Sequence, residues 1–193
     1  MRRLLLLLLA AAATVAGCAA APVEGTPSPA AGATPESTGP VLPPRPRELP
    51  LDGIDACSLL TPAQRAELGL DGLALPSQTT STLFAGRACA ISGFEPRDVA
   101  VGLTLATRNG IEALIEPGRV RDQLTLTAVL DFPAVIARPA ISNACSVDID
   151  VADGQFLDVL FRDAGTSPPI PQEQLCNDAV KIAEAALRTL KLT

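Results

Sequence analysis

The stretch CSVDIDVADGQFLDVLF, residues 145–161, decides the fold. Over residues 147–151, β-branched residues alternate with aspartates, which is the pattern of a strand with one buried side and one solvent-facing side. Asp153 and Gly154 then form a dipeptide typical of tight hairpin turns, and apolar residues resume over 156–161. The stretch therefore predicts a β-hairpin and, with it, an antiparallel sheet.

Other strands are predicted on the N-terminal side of this hairpin. Residues 99–107 alternate regularly between large and small side chains, as expected of a strand whose two sides face different surroundings. Three further apolar segments also predict strands, at 84–91, 124–130 and 132–137. The chain thus contains enough strands for a sheet of ordinary size.

Helices are predicted before, between and after these strands. Thr61, Pro62 and Gln64 form the start signal of a first helix, with a capping box, and Gly69 ends it. A short second helix is predicted to begin after Asn109, with Asn109 as its N-cap. The last helix begins near Pro171, and its apolar positions recur three and four residues apart: Leu175, Ala179, Ile182, Ala183, Ala186, Leu187 and Leu190.

The order of these elements predicts one α+β domain over residues 51–193. Its mainly antiparallel sheet is packed by helices, including the C-terminal amphipathic helix. Four cysteines lie in this domain, Cys57, Cys89, Cys145 and Cys176. Their number is even and no two of them form a CxxC motif, so two structural disulfides are favoured over a metal or redox site.

Four cysteines allow three pairings. We favour Cys57–Cys89 with Cys145–Cys176, because the enclosed segments are nearly equal, at 31 and 30 residues, and each bond would join a helix end to a strand. In the chain-entropy model, loops of this length contribute about 3–4 kcal/mol each.

The first residues predict export and lipidation. Arg2 and Arg3 precede an unbroken apolar run over residues 4–13, which is too short to span a membrane but typical of a signal peptide, here residues 1–17. Its last residues and the next one, Val15, Ala16, Gly17 and Cys18, resemble the bacterial lipobox. The resemblance implies that Cys18 carries the acyl chains (palmitate or similar) that hold the protein at the extracytoplasmic face of the cell membrane.

Residues 18–50 are interpreted as the lipidated cysteine followed by a Pro- and Ala-rich tether. Nine of the 18 prolines lie between Pro22 and Pro50. Such a segment buries too little apolar surface to offset its ordering entropy. The tether would hold the domain away from the membrane.

Composition excludes several function classes. The chain of 193 residues has no His, so triads with an imidazole base and imidazole metal sites are impossible. It also has no Trp or Tyr and a net charge of −6, which disfavours nucleic acid as a partner. No cofactor or metal site is predicted.

A family resemblance rests on the segment 55–64, DACSLLTPAQ, together with Cys89, Cys145-Ser146-Val147 and the segment 175–179, LCNDA. These residues resemble the domain-of-unknown-function family 3558, whose members are mostly exported lipoproteins of actinobacteria. The resemblance implies a cell-envelope protein and supplies no catalytic residues.

Four aspartates of the hairpin, Asp148, Asp150, Asp153 and Asp158, are the candidate ion ligands. Their spacing does not match a calcium loop, and a solvent-facing strand side with a turn explains them better. We therefore expect a non-enzymatic domain that binds an envelope protein or other envelope component. The alternative is a carrier of a lipid or small hydrophobic molecule in a cavity; a carboxylate-based hydrolase would need a cleft with two facing acids.

Overall fold

Seven strands form one sheet in the computed structural model, which describes residues 40–193. Their bounds are Ala74–Thr80 (β1), Ala85–Gly93 (β2), Val99–Ala106 (β3), Gln123–Val129 (β4), Phe132–Arg138 (β5), Ala144–Ala152 (β6) and Gln155–Asp163 (β7). The strands lie in the order β1-β2-β3-β7-β6-β5-β4, and all neighbours are antiparallel. The predicted signal peptide, the lipobox, Cys18 and the first part of the tether lie outside the described residues.

Three α-helices and one 3-10 turn accompany the sheet. The 3-10 turn is Ala56–Leu59, and the helices are Pro62–Glu67 (α1), Glu112–Ile115 (α2) and Gln172–Leu190 (α3). The predicted class, an α+β domain with an antiparallel sheet and a C-terminal helix, is confirmed. No helix in the described part of the chain is both long enough and apolar enough to cross a membrane.

The predicted start and end of the first helix are confirmed. The Thr61 hydroxyl accepts from the Gln64 backbone N–H at 3.3 Å, and the Gln64 side chain accepts from the Thr61 backbone N–H at 2.8 Å, which completes the predicted capping box. Gly69 follows in the left-handed region at φ 68°. The predicted cap at Asn109 is wrong, because its side-chain amide donates to the carbonyl of Leu83 and α2 begins after Ile111.

Both favoured disulfides are present. Cys57 in the 3-10 turn is bonded to Cys89 in β2, and Cys145 in β6 is bonded to Cys176 in the first turns of α3. Each bond thus joins a helical segment to a strand across the main core.

The sheet has two unlike faces. The first face is defined as the side that packs against α3, where buried side chains such as Leu103, Val147 and Val159 meet Ala179 and Ala183. Small residues on α3 let the helix approach the strands closely, so this layer is a filled core. We call the opposite side of the sheet the second face.

The second face is not the solvated surface that the alternation predicted. Asp148, Asp150 and Asp158 all lie on it, with only 3%, 4% and 7% of their surfaces exposed. They are covered because α2 and the β1–β2 loop fold over this side and build a smaller apolar cluster there, comprising Ala106, Ile111, Leu114, Ile115, Val135 and Phe156.

The last part of the predicted tether contacts the domain. The guanidinium of Arg45 binds both carboxylate oxygens of Asp150 at 2.7 Å and also binds Glu48, and the backbone N–H of Leu49 donates to the carbonyl of Val151 at 2.7 Å. A buried carboxylate requires such a partner. Residues from Arg45 onward therefore contribute to the packed structure, ahead of the predicted boundary at Leu51.

Candidate functional site

Two rows of side chains cross all seven strands on the second face, because the strand register aligns them. The acid row contains Ser77, Ala88, Thr104, Asp158, Asp148, Val135 and Leu126. The small-residue row runs beside it and contains Leu75, Ala90, Gly102, Leu160, Ser146, Ala137 and Leu124. The small side chains on either side of Leu160 in the second row, Gly102, Ser146 and Ala137, leave space above the sheet.

That space is a cavity of about 250 Å³. Its floor is the middle of the two rows, and its cover comes from the β1–β2 loop, α2 and the segment that leads to β4. The lining residues are Thr79, Leu83, Phe84, Gly102, Thr104, Leu114, Val120, Asp122, Leu124, Ala137, Ser146, Asp148, Asp158 and Leu160. Most of the wall is apolar, and the polar groups converge on one part of the floor.

At that point Asp148 and Asp158 form an acid pair. They stand directly opposite each other on β6 and β7, and their carboxyl groups share a hydrogen bond. Burial raises the pKa of Asp158 to about 6, although hydrogen bonds from Thr104 and Asp148 act in the opposite direction. Burial also raises the pKa of Asp148 well above its usual range, and the neighbouring charges of Asp158 and Asp122 add to the effect.

The protonation state of the acid pair follows from these shifts. Both pKa values are raised, so the carboxyls of the pair hold their protons to a higher pH than free aspartates do, and Asp158, with a pKa of about 6, is ionised near neutral pH. The Oδ1 atom of Asp148 is buried and has no hydrogen-bond partner among the described residues. The floor of the cavity therefore contains a charged pair with an unused acceptor.

Hydroxyl groups extend the polar floor towards β1. The side-chain oxygens of Thr79 and Thr104 are 2.8 Å apart, and Thr104 stands directly opposite Asp158 in the pairing of β3 with β7. Thr104 is itself buried. Hydroxyl groups from β1 and β3 thus lie beside the acid pair on the floor of the cavity.

The four aspartates named from the sequence do not form one cluster. Asp148 and Asp158 share the cavity floor, Asp150 is neutralised by Arg45, and Asp153 lies exposed in the hairpin turn. Within residues 40–193, no group of three or more His, Cys, Asp or Glu side chains is arranged to hold a metal ion. The structure adds a further carboxylate, Asp122, to the lining of the cavity.

These observations define a class of protein: an α+β domain with two disulfides, a core on one face of its sheet and a partly apolar cavity on the other. The profile of a protein family described as "Protein of unknown function (DUF3558)" matches residues 13–189. The chain belongs to this family, as the sequence resemblance implied. Searches of curated proteins and of solved structures found no significant match.

Proposed function

We propose that this protein is a lipid-anchored lipoprotein of the cell envelope whose domain binds a small, mainly apolar molecule without transforming it. The observation that carries the proposal is the cavity of about 250 Å³ on the second face of the sheet. Its lining is largely apolar, with a few polar groups that converge on one point, as is typical of small-molecule sites.

The size of the cavity indicates the size of the ligand. An apolar cavity of about 150 Å³ accommodates a benzene-sized molecule. The cavity of this domain therefore suits a ligand of about one ring or a short alkyl chain, and not a complete phospholipid. Leu160 and Leu126, which lie on the second face and are partly exposed, extend the apolar surface at the sheet.

The anchor is supported by the sequence and by the disulfides. Val15, Ala16, Gly17 and Cys18 follow a short apolar segment, as in bacterial lipoproteins. Two disulfides are typical of a domain that matures outside the cytoplasm.

A second candidate function, acid-catalysed hydrolysis, is favoured by the facing carboxyls of Asp148 and Asp158. Two carboxyls that share a hydrogen bond stand about 3 Å apart, closer than the roughly 5 Å or more that a glycosidase needs to place a sugar between them. An aspartic dyad that activates water is the remaining chemistry. Peptide-bond hydrolysis that disappears in the Asp148→Asn variant would support this candidate over simple binding.

Binding is tested by filling the cavity. The test protein is the chain from residue 18 with Cys18→Ser, which carries no acyl chain and needs no detergent. An added Cβ at Gly102 meets nothing nearer than the Leu160 Cβ at 3.7 Å, so Gly102→Leu directs its side chain into the cavity without backbone strain. The matched control is Ala90→Leu, because Ala90 is the cross-strand neighbour of Gly102 but lies outside the cavity.

Titration calorimetry with n-octanol provides the readout. The parent protein and Ala90→Leu should bind the alcohol, and Gly102→Leu should lose most of the binding, because its side chain occupies the ligand volume. Equal binding by all three proteins, or no binding by the parent, would contradict the proposed function.

A further inference from the structure

We propose that the cavity selects an organic ammonium ion, a protonated amine on a short apolar body, whose nitrogen binds the acid pair Asp148–Asp158. This inference rests on the proposed function, because it names the ligand class of the same cavity.

The unused acceptor requires a donor. Asp148 lines the cavity, and its Oδ1 atom is buried and has no hydrogen-bond partner among the described residues. Leaving such an atom without a partner destabilises the folded protein, and more so when the group is charged. An N–H group at the floor of the cavity would satisfy this oxygen.

The charge of the lining residues determines the sign of the charge that a ligand should carry. Asp122, Asp148 and Asp158 are the ionisable members of the lining, and no Lys or Arg is among the described lining residues. A carboxylate or phosphate at the floor would meet only like charge, so fatty acids and phosphorylated headgroups are disfavoured. A cation would neutralise the negative charge of the buried acid pair, and hydrogen bonds between charged groups are stronger than those between neutral ones.

The hydrogen-bond geometry favours an ammonium group over a metal ion. A primary ammonium has three N–H donors, and the floor supplies acceptors from the acid pair and from the hydroxyl of Thr104 or Thr79. A calcium ion needs six to eight oxygen ligands and would find too few here. The apolar wall of Leu83, Phe84, Leu114, Leu124 and Leu160 would cover the body of an amine.

The test compares three ligands that share one alkyl tail: n-octylamine, n-octanol and octanoate. At pH 7.5 the amine is protonated. Calorimetry on the test protein should show octylammonium bound at least about tenfold more tightly than octanol, since a hydrogen bond to a charged group is worth about 1.5–3 kcal/mol. Octanoate should show no binding.

Variants locate the preference at the acid pair. In the double variant Asp148→Asn/Asp158→Asn, octanol should still bind, and octylammonium should bind with about the same affinity as octanol. The control is Asp153→Asn, which removes an exposed carboxylate of the same hairpin outside the cavity and should leave the preference unchanged.

A measurement on the unsubstituted acid pair guards against a variant that fails to fold. The carboxyl groups that line the cavity are those of Asp148, Asp158 and Asp122, and protonation of Asp158 below about pH 6 removes its negative charge from the acid pair. Octylammonium should therefore bind about tenfold more weakly at pH 5 than at pH 7.5. Octanol binding should change little.

The outcomes separate the two proposals. If octanol and octylammonium bind equally at both pH values, the ammonium inference is wrong while the cavity function stands. If neither ligand binds, or if Gly102→Leu does not weaken either one, the proposed function itself is wrong. A tighter complex with octanoate than with octylammonium would also overturn the inference.

Discussion

Asp158→Asn should change the pH dependence of stability, because the acid pair is buried on the second face. Folding raises the pKa of Asp158 from 3.8 to about 6, so the folded protein holds a proton that the unfolded chain releases. Stability contributed by this proton is complete below about pH 4 and is lost as the pH rises towards the folded-state pKa. The free energy of unfolding should therefore fall with rising pH over this window.

The magnitude follows from the size of the shift. A rise of about two pKa units corresponds to about 3 kcal/mol, of which about 2 kcal/mol is lost between pH 4.5 and 7.5. Glu48 and Asp163 have lowered pKa values and contribute stability that is lost only at acid pH, below this window. The pKa values of Asp148 and Asp150 are also raised, mainly by burial, so both residues add to the fall in stability with rising pH, and both are present in every variant compared.

Chemical denaturation at several pH values measures this effect. The test protein should lose about 2 kcal/mol or more between pH 4.5 and 7.5, and Asp158→Asn should remove about that amount from the loss. Asp153→Asn, which replaces an exposed carboxylate, should keep the parent's slope. A flat or rising parent profile, or an unchanged slope in Asp158→Asn, would refute the account of a buried pair.

Three further predictions concern the anchor and the packing. Cys18→Ala should release the protein from membranes and abolish fatty-acid labelling; a labelled alanine variant would contradict lipidation. Breaking Cys145–Cys176 with two serines should remove hydrogen-exchange protection from α3 before β3, because the bond ties the first turns of α3 to the sheet; simultaneous loss would argue against this order. Arg45→Ala should lower the free energy of unfolding by about 1–3 kcal/mol, because it leaves the buried carboxylate of Asp150 without its partner; an unchanged free energy of unfolding would contradict the contact.

Features set by neighbours in the chain were predictable from the sequence. The capping box at Thr61 and Gln64 and the Asp153-Gly154 turn depend on residues a few positions apart, so their signals are local. The pairing of the cysteines was favoured by near-equal loops and agrees with the disulfides. Strand β1 was missed because it is an edge strand, mostly exposed and interrupted by Pro76, and so lacks a regular apolar pattern.

The cavity was not predictable, because it depends on long-range packing. Alternation over 147–151 shows only that two sides differ, and the cover that buries Asp148 comes from the distant α2 and the β1–β2 loop. The facing of the two acids needs a further detail: a bulge between Asp150 and Ala152 shifts the register by one residue, so that Asp148 opposes Asp158. Without the bulge, regular pairing outward from the Asp153-Gly154 turn would place Val159 opposite Asp148.

The binding of an amine in this cavity is the central claim, and intermolecular nuclear Overhauser effects test it most directly. In a saturated complex with n-octylamine, the terminal methyl group should show cross-peaks to side chains of the apolar wall, such as Leu114, Leu124 and Leu160. The same spectra of Gly102→Leu should lack them. Cross-peaks to residues around α3 on the first face, or none to the cavity wall in a complex shown to be saturated, would contradict the account.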